Sequence, residues 1–500
     1  MSQHQKKFLE YVEEVKNIKA NIGVCVFGHF RFWPQFPKAK EEIMKHWDDF
    51  YSRLEKESNA NIIKFDKMCD CYEVSVEAGV FFAKKDIDLL IIYHGTYTTS
   101  ANIVQVIKKA GSPPNIVLTL QPNISRNYDN PLELTTENSI SSDVICPLPE
   151  AFNALLRCNE EPLDVIPGVL YGDEKSWDRI KDWCTVATVA RKLKYDHIGY
   201  LGHAYEGMLD MQSDPTMFDG HFGMHVEHIE MDDLERIIDT VTEEEVSLKI
   251  KEISEVFDFS EPEYDPIARK VELKDINWPA KIAVVMEKLV LEHKLTGIAY
   301  YYNGHGNNIN VQIMSGMILG NSFLTSKGIA ISGEQDLKNC IAMLITDRFD
   351  AGGSFCEFTS VDFGDNNVSI GHDGPHHLGV SEGKPAIKFL DVLHGKTGRG
   401  PSVEYRFKLG PITIFALTQT FNGKFKIVVA EGESIPGKIL KIGNTTTRVK
   451  FKLDVHTFLE LWTKEGPTHH FSLGKGHIAD KIEKLAKYLD IEYKCISKEG

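Results

Sequence analysis

The sequence predicts an α/β protein: two doubly wound, Rossmann-like domains followed by a mainly antiparallel β domain. Three observations carry this. Short apolar runs alternate with helical periodicity from the start of the chain, which is the pattern of a parallel sheet with crossover helices. The same alternation begins afresh at His197-Ile198-Gly199-Tyr200-Leu201-Gly202. After about residue 350 glycines become frequent, helices scarce, and the strand-like runs are joined by turn residues. At 500 residues the chain is too long for one ordinary core. The composition shifts place the domains at 1–193, 194–350 and 351–500.

In order along the chain, residues 2–19 space Phe8, Tyr11, Val12, Val15 and Ile18 as a helix does. Residues 21–28 read as a buried parallel strand ending in a glycine turn. A long helix is expected over 38–57, a strand at 61–65, a helix near 73–84 and a strand at 88–93. A helix over 100–110 and a strand at 115–120 complete the first sheet. The strand ends at Gly28-His29-Phe30-Arg31, His94-Gly95-Thr96 and Gln121-Pro122-Asn123 are where such folds bind ligands. A helix carrying Trp177, Trp183, Val186 and Val189 ends near Lys194. Strands at 197–202, 225–229 and 295–302, with helices near 231–240, 243–256 and 280–294, form the second domain. In the third, residues 403–408, 412–417, 425–429 and 447–451 read as strands, with Asn422-Gly423 as a hairpin turn. A helix over about 476–489 and a short strand at 492–496 close the chain.

Hydrophobic residues make up 42% and charged residues 26%, the balance of a folded globular chain. The net charge of −16 argues against a nucleic-acid partner, which calls for a clustered basic surface, and against an anionic membrane. The N-terminus is polar, without the apolar core of a signal peptide, and no stretch has the length of a transmembrane helix. The nine cysteines are odd in number and scattered, and Cys69-Asp70-Cys71 is too tight for a zinc-finger pair. They read as reduced thiols in a cytoplasmic protein.

Four candidate metal ligands lie in the last third: Glu334 in Ser332-Gly333-Glu334-Gln335-Asp336, Glu357 ending Gly352-Gly353-Ser354-Phe355-Cys356-Glu357, His372 in Ile370-Gly371-His372-Asp373-Gly374, and His470 ending Gly466-Pro467-Thr468-His469-His470. A lone Glu is by default a surface carboxylate. Each of these sits among glycines and apolar residues, where a carboxylate needs a partner, and a metal is one. Two carboxylates with two imidazoles suit a divalent ion such as Mn²⁺. The carboxylates also give a matched acid and base for moving a proton between neighbouring carbons. The His469-His470 pair reads equally well as a turn, and His372, His376 and His377 as a polar loop; neither has the short local spacing of a zinc motif. Gly304-His305-Gly306-Asn307-Asn308 reads equally as a turn or a ligand loop, and Gly202 to Met211 as a ligand loop at a strand's carboxyl end.

In combination these motifs resemble the L-arabinose isomerase family, with the broader L-fucose isomerase group behind it. The family's Gly-Glu-Gly-Asp is here Gly333-Glu334-Gln335-Asp336. Its Gly-Gly-x-Ser-Phe-x-Glu is Gly352 to Glu357 with one residue fewer. Its third ligand follows an apolar strand and a Gly, as in Val368-Ser369-Ile370-Gly371-His372. Its Gly-x-His-His is Gly466 to His470 with one residue more, and its Gly-Lys-x-x-x-x-Pro is Gly395 to Pro401. Other segments depart from the family. Gly28-His29-Phe30-Arg31-Phe32-Trp33 stands for Gln-His-Leu-Tyr. Leu118 to Asn123 replaces His-Thr-Gln-Phe-Asn, and Phe358 to Asp362 replaces Asp-Tyr-Thr-Tyr-His.

The resemblance implies a metal-dependent aldose–ketose isomerase acting on a pentose or deoxyhexose through an enediol, with changed substrate-facing residues and a substrate other than L-arabinose. It implies that Glu334 and Glu357 are catalytic, that both hold a divalent metal, most simply Mn²⁺, with His372 and His470, and that His29, Arg31, Trp33, His94, Gln121, Tyr205, Met208 and His469 meet the sugar. A homotrimer or homohexamer is implied, for which the apolar loop of Phe30, Phe32, Trp33 and Phe36 offers a contact. A non-catalytic sugar-binding or regulatory protein on the same scaffold, or a metal-dependent sugar epimerase, are the alternatives.

Overall fold

The computed structural model describes residues 2–142, 145–259, 267–306, 308–390, 400–440 and 444–498. The chain divides into two compact units, residues 18–192 and residues 1–17 together with 193–500.

The unit of residues 18–192 holds a parallel sheet of strands β1 (Asn21–Phe27), β2 (Asn61–Lys64), β3 (Leu89–His94), β4 (Asn115–Gln121) and β5 (Asp164–Val169), ordered β2-β1-β3-β4-β5. This is a doubly wound order with its switch point between β1 and β3. The first, third and fourth strands are apolar almost throughout because both faces are covered. β5, which carries the strand breakers Pro167 and Gly168, is not among the strands expected from the sequence. It forms because it lies at the sheet edge, where a proline is tolerated. Trp183 secures it, its indole N–H donating to the Asp164 carboxylate at 2.8 Å.

The other unit contains a second parallel sheet of the same winding. Its strands are β6 (His197–Gly202), β7 (His225–Ile229), β9 (Gly297–Tyr301) and β10 (Ala330–Ser332), in the order β10-β9-β6-β7. Between them in sequence, β8 (Ala268–Lys270) joins β13 (Ala386–Leu390) and β14 (Gly400–Glu404) in a small antiparallel sheet. The first helix, Gln3–Lys16, packs Phe8, Tyr11 and Val12 into the core beside the second parallel sheet, and the Tyr11 hydroxyl donates to the Leu295 carbonyl at 3.0 Å.

The remaining strands are β11 (Ser354–Asp362), β12 (Asn367–His372), β15 (Gly410–Gln419), β16 (Phe425–Ser434), β17 (Thr445–Phe451), β18 (Phe471–Lys475) and β19 (Glu492–Cys495). Six of these seven close into an antiparallel barrel, β15-β18-β11-β12-β17-β16 and back to β15, while β19 adds in parallel to β16. Closure removes the exposed edges that an open sheet would present. The expected hairpin turns at Asn422-Gly423, with Gly423 at φ +71°. One expectation is corrected: the strand predicted over 403–408 runs instead from Gly400 to Glu404. Tyr405 turns inward there, its hydroxyl donating to the His377 carbonyl at 3.0 Å, which draws the chain out of the ladder. The helix Val455–Lys464 lies in the β-rich part without having been expected. Of the Gly395–Pro401 motif, residues 395–399 lie outside the described residues.

The helix Leu337–Arg348 is tied to the start of β6 by a buried bidentate pair. Arg348 meets both Asp196 oxygens at 2.7 and 2.6 Å, with side chains 6% and 1% exposed. Arg348→Ala strands a buried carboxylate. It is expected to destabilise the protein by roughly 3–5 kcal/mol, read from the urea unfolding midpoint.

Candidate metal and proton-transfer site

At the carboxyl end of β10 the chain makes a tight turn, Gly333 to Asp336, before the helix Leu337–Arg348. Glu334 and Gln335 both adopt left-handed backbone, φ +54° and +58°. Two consecutive non-glycine residues in that region are costly, of order 1–3 kcal/mol each, and persist only where neighbours over-determine them. Those neighbours are identifiable. The Gln335 N–H donates to the Tyr300 carbonyl at 3.0 Å and its side-chain amide to the Leu201 carbonyl at 3.1 Å. The Tyr205 N–H donates to the Glu334 carbonyl at 3.4 Å. Asp336 caps the following helix, accepting from the Asn339 N–H at 3.0 Å. The turn thus drives the Glu334 side chain into the interior, where it is 7% exposed.

The barrel supplies the other candidates. Glu357 stands on β11 opposite Gly371 on β12, so His372 is the next residue along the neighbouring strand. On the other side of β11, Cys356 pairs with Phe471 of β18, which puts His470 beside Glu357 at the ladder's end. Gly353 permits this start to β11: at φ +143° a Cβ there would meet the Met343 carbonyl oxygen at 2.7 Å. The Phe355 ring packs under both imidazoles, with centroids 4.4 Å from His372 and 4.3 Å from His470.

The four residues converge. Donor atoms of Glu357, His372 and His470 all lie within 4.8 Å of one another, and so do those of Glu334, His469 and His470. Glu334 Oε2 is 3.6 Å from His470 Nε2, and Glu334 Oε1 is 3.9 Å from His372 Nε2. Glu334 Oε2 and His470 Nε2 are both buried without a hydrogen-bond partner. They are too far apart for a hydrogen bond but suitably spaced as two ligands of one ion. The two overlapping donor sets therefore fit a divalent cation on geometry as well as on donor chemistry.

Carboxylates stand behind the imidazoles. His470 Nδ1 is 3.2 Å from Asp336 Oδ2, and His372 Nδ1 is 3.0 Å from Asp373 Oδ1. The N–H groups of Asp373 and Gly374 point at the same His372 nitrogen, at 3.0 and 3.1 Å, so that face of the ring is fixed whichever group holds the proton. Burial acts against the charged form of both rings. In His470 burial prevails over Asp336, and its pKa is lowered. In His372 the hydrogen bond and charge of Asp373, with Glu357 and Glu334, outweigh burial and raise it. Burial also lowers that of His469, but Glu334 and Asp210 raise it to about 9. Glu334, His372 and Asp373 line a partly open cavity together with Tyr300, Met314 and Phe355.

The remaining residues singled out in the sequence divide between the units. Tyr205, Met208 and His469 lie in the unit that holds the candidate ligands. The Tyr205 ring packs on Tyr301 at 4.8 Å, Met208 precedes a short turn at Leu209–Met211, and His469 Nε2 is 3.7 Å from Glu334 Oε2. His29, Arg31, Trp33, His94 and Gln121 lie in the unit of residues 18–192. There His29 sits edge-on to Phe30, Phe32 and Tyr97, and Arg31 is exposed. The Trp33 indole donates to Asp70 at 2.7 Å, and the Gln121 amide to the Asn123 carbonyl at 2.8 Å. His94 is fully buried, and burial pushes its pKa down to about 4. In the 304–308 turn, Asn308 caps the helix Ile309–Ser326 through the Val311 N–H; Asn307 lies outside the described residues.

Sequence reasoning did not assign Asp336, Asp373 or Asp210. The first two stand inside the quoted motifs, within two residues of a candidate ligand, which is the available signal. Asp336→Asn keeps the helix cap but weakens the acceptor behind His470. It is expected to lower Mn²⁺ affinity by roughly 10–100-fold with the fold intact, measured by calorimetry.

Residues 374–497 match the family described as L-fucose isomerase, C-terminal domain. The match contains His470 but stops short of Glu334, Glu357 and His372. Two curated proteins are similar. The sulfoquinovose isomerase of Alkalicoccus urumqiensis is 22% identical over 172 residues, 34% of this chain and 38% of the relative. The L-arabinose isomerase of Cellvibrio japonicus (strain Ueda107) is 22% identical over 324 residues, 63% of this chain and 62% of the relative. The matched stretch thus spans less than two thirds of either relative's length. With the barrel and the convergent ligand motifs, these matches support reading the chain as a divergent relative of the L-fucose and L-arabinose isomerases.

Proposed function

We propose that the protein is a metal-dependent aldose–ketose isomerase acting on an open-chain pentose or deoxyhexose through an enediol. The observation that carries this is the convergence of Glu334, Glu357, His372 and His470, with a buried carboxylate oxygen and an imidazole nitrogen left unpartnered at 3.6 Å. A divalent cation held by these four residues supplies Lewis-acid polarisation of the sugar carbonyl. Between them, Glu334 and Glu357 take the proton from the hydroxyl-bearing carbon and deliver it to its neighbour. His372 and His470, backed by Asp373 and Asp336, keep their Nε2 atoms aimed at the carboxylates. The Phe355 ring excludes water from beneath the imidazoles. Similarity to an L-arabinose isomerase and a sulfoquinovose isomerase supports the reaction class, while the altered segments Gly28–Trp33 and Phe358–Asp362 point away from L-arabinose itself.

A homotrimer or homohexamer in a reducing cytoplasm is part of the proposal, supported by nine cysteines that form no disulfide among the described residues and by Phe30, which is 49% exposed within the aromatic loop after β1. Among the described residues no helix is long and apolar enough to cross a membrane.

The deciding experiment incubates the protein with Mn²⁺ and a panel of pentoses and 6-deoxyhexoses in D₂O. Ketose with deuterium at C2 of the recovered aldose is expected; binding without exchange would indicate a non-catalytic sugar-binding protein. Glu334→Gln and Glu357→Gln are each expected to reduce turnover by at least ~10²–10⁴-fold with unchanged melting, and near wild-type activity in either removes that residue from the site. Mn²⁺ affinity should weaken as pH falls, because a protonated imidazole cannot bind a metal. Since the folded apo-protein holds the His372 pKa above 6.5, the loss should begin above that value, and calorimetry across pH reads it. Light scattering tests the assembly, for which an active 56.5 kDa monomer is the contrary result. Mixing Glu357→Gln with Arg31→Ala chains should restore activity if two subunits complete one site.

A further inference from the structure

Asp210 lies on the loop that follows β6, far in sequence from the ligand motifs, yet both of its contacts with His469 run through one carboxylate oxygen. Oδ2 accepts the His469 backbone N–H at 3.1 Å and lies 2.7 Å from its Nδ1. Two donors of one residue on a single acceptor fix the orientation of that residue's ring as well as its backbone. The opposite nitrogen, Nε2, is thereby directed to Glu334 Oε2 at 3.7 Å. His469 differs from the other two imidazoles of the cluster. Its side chain is 36% exposed, against 7% for His372 and none for His470. It is the ring of the three that solute can reach, and packing alone does not hold it.

The loop is itself anchored. Met211 is fully buried. The Lys338 ammonium, 2% exposed, donates to the Gln212 carbonyl at 3.0 Å and to Ser213 Oγ at 2.8 Å. Lys338 lies on the helix that Asp336 caps, two residues beyond the cap. The Gly333–Asp336 turn, that helix, the Asp210 loop and His469 therefore form a closed circuit of contacts around the Glu334 carboxylate. A surface ion pair made for stability has no need of this, since an exposed pair contributes only about 0–1 kcal/mol.

Resting on the isomerase reading above, we infer that Asp210 is the positioning residue for His469, holding its Nε2 against Glu334 so that the imidazole meets the sugar hydroxyl there in one fixed orientation. Asp210 acts through His469 and touches neither substrate nor metal.

The test is a double-mutant cycle on the Mn²⁺-loaded full chain, with calorimetry and ¹⁵N-histidine NMR alongside. Asp210→Ala should lower kcat by roughly 10–100-fold through misplacement of one group, leaving KM, melting temperature and Mn²⁺ affinity unchanged. Asp210→Asn, which keeps an oxygen acceptor, should recover most of the rate. In a His469→Ala background Asp210→Ala should cost nothing further, because the two residues act as one unit. An undiminished kcat in Asp210→Ala, or an equal loss in both backgrounds, overturns the inference. NMR of the metal-free protein, with the ring assigned by His469→Gln, keeps it separable from the isomerase reading. The His469 Nδ1–H signal of a carboxylate-bonded ring should be present in the wild type and lost in Asp210→Ala. If no aldose is turned over the isomerase reading fails, yet an identical ring signal in both proteins would still refute the role of Asp210.

Discussion

A carboxylate driven into the interior by a strained turn is the constraint on which the rest of the site depends. Glu334 is placed by two successive left-handed residues, a conformation the chain adopts only because Tyr300, Leu201 and Asp336 hold it from three sides. Burying an ionised carboxylate without a partner is among the costliest arrangements in a protein, and one oxygen of Glu334 has no hydrogen-bond partner. The imidazoles that face it are set to meet a cation, each with its remote nitrogen engaged by a carboxylate and its near nitrogen free of the backbone. Strain, burial and unsatisfied polarity coincide at one place, as is expected where structure serves chemistry rather than stability.

The barrel makes this economical. Because β11 pairs with β18 on one side and β12 on the other, two adjacent ladders deliver Glu357, His470 and His372 to one level. Register is decisive, since a slip of one residue in either ladder would turn a ligand to the opposite face. Closure of the barrel through β15 and β16 fixes both registers at once, because no strand can slide without breaking two ladders. The second parallel sheet contributes the complementary half. The carboxyl ends of β10 and β6, where doubly wound folds gather ligands, carry Glu334 and the Tyr205–Asp210 loop.

Much of this was legible in the sequence, for definite reasons. Parallel strands buried on both faces are continuous apolar runs, so β1, β3, β4, β6 and β9 announce themselves. The helices between them carry their period in Phe8-Tyr11-Val12 or Trp177-Trp183. The four ligand candidates stand out because carboxylates and imidazoles flanked by glycine in apolar surroundings are unusual. Edge strand β5 was hidden, because Pro167 reads as a breaker unless its position at the sheet edge is known. The helix Val455–Lys464 was hidden by its setting among strands, and the strand expected over 403–408 was drawn off by Tyr405, whose partner carbonyl is 28 residues away.

The sequence by itself determined the class of fold, the run of its elements and the residue types able to hold a metal and move a proton, because each of these is written in local composition and period. Only the tertiary structure decided which donors share one ion's reach. It also decided that Asp336 and Asp373 stand behind the imidazoles, and that Asp210, 259 residues away, holds His469. Those relations depend on strand register, on barrel closure and on a turn forced into left-handed backbone. No local stretch of the chain encodes them.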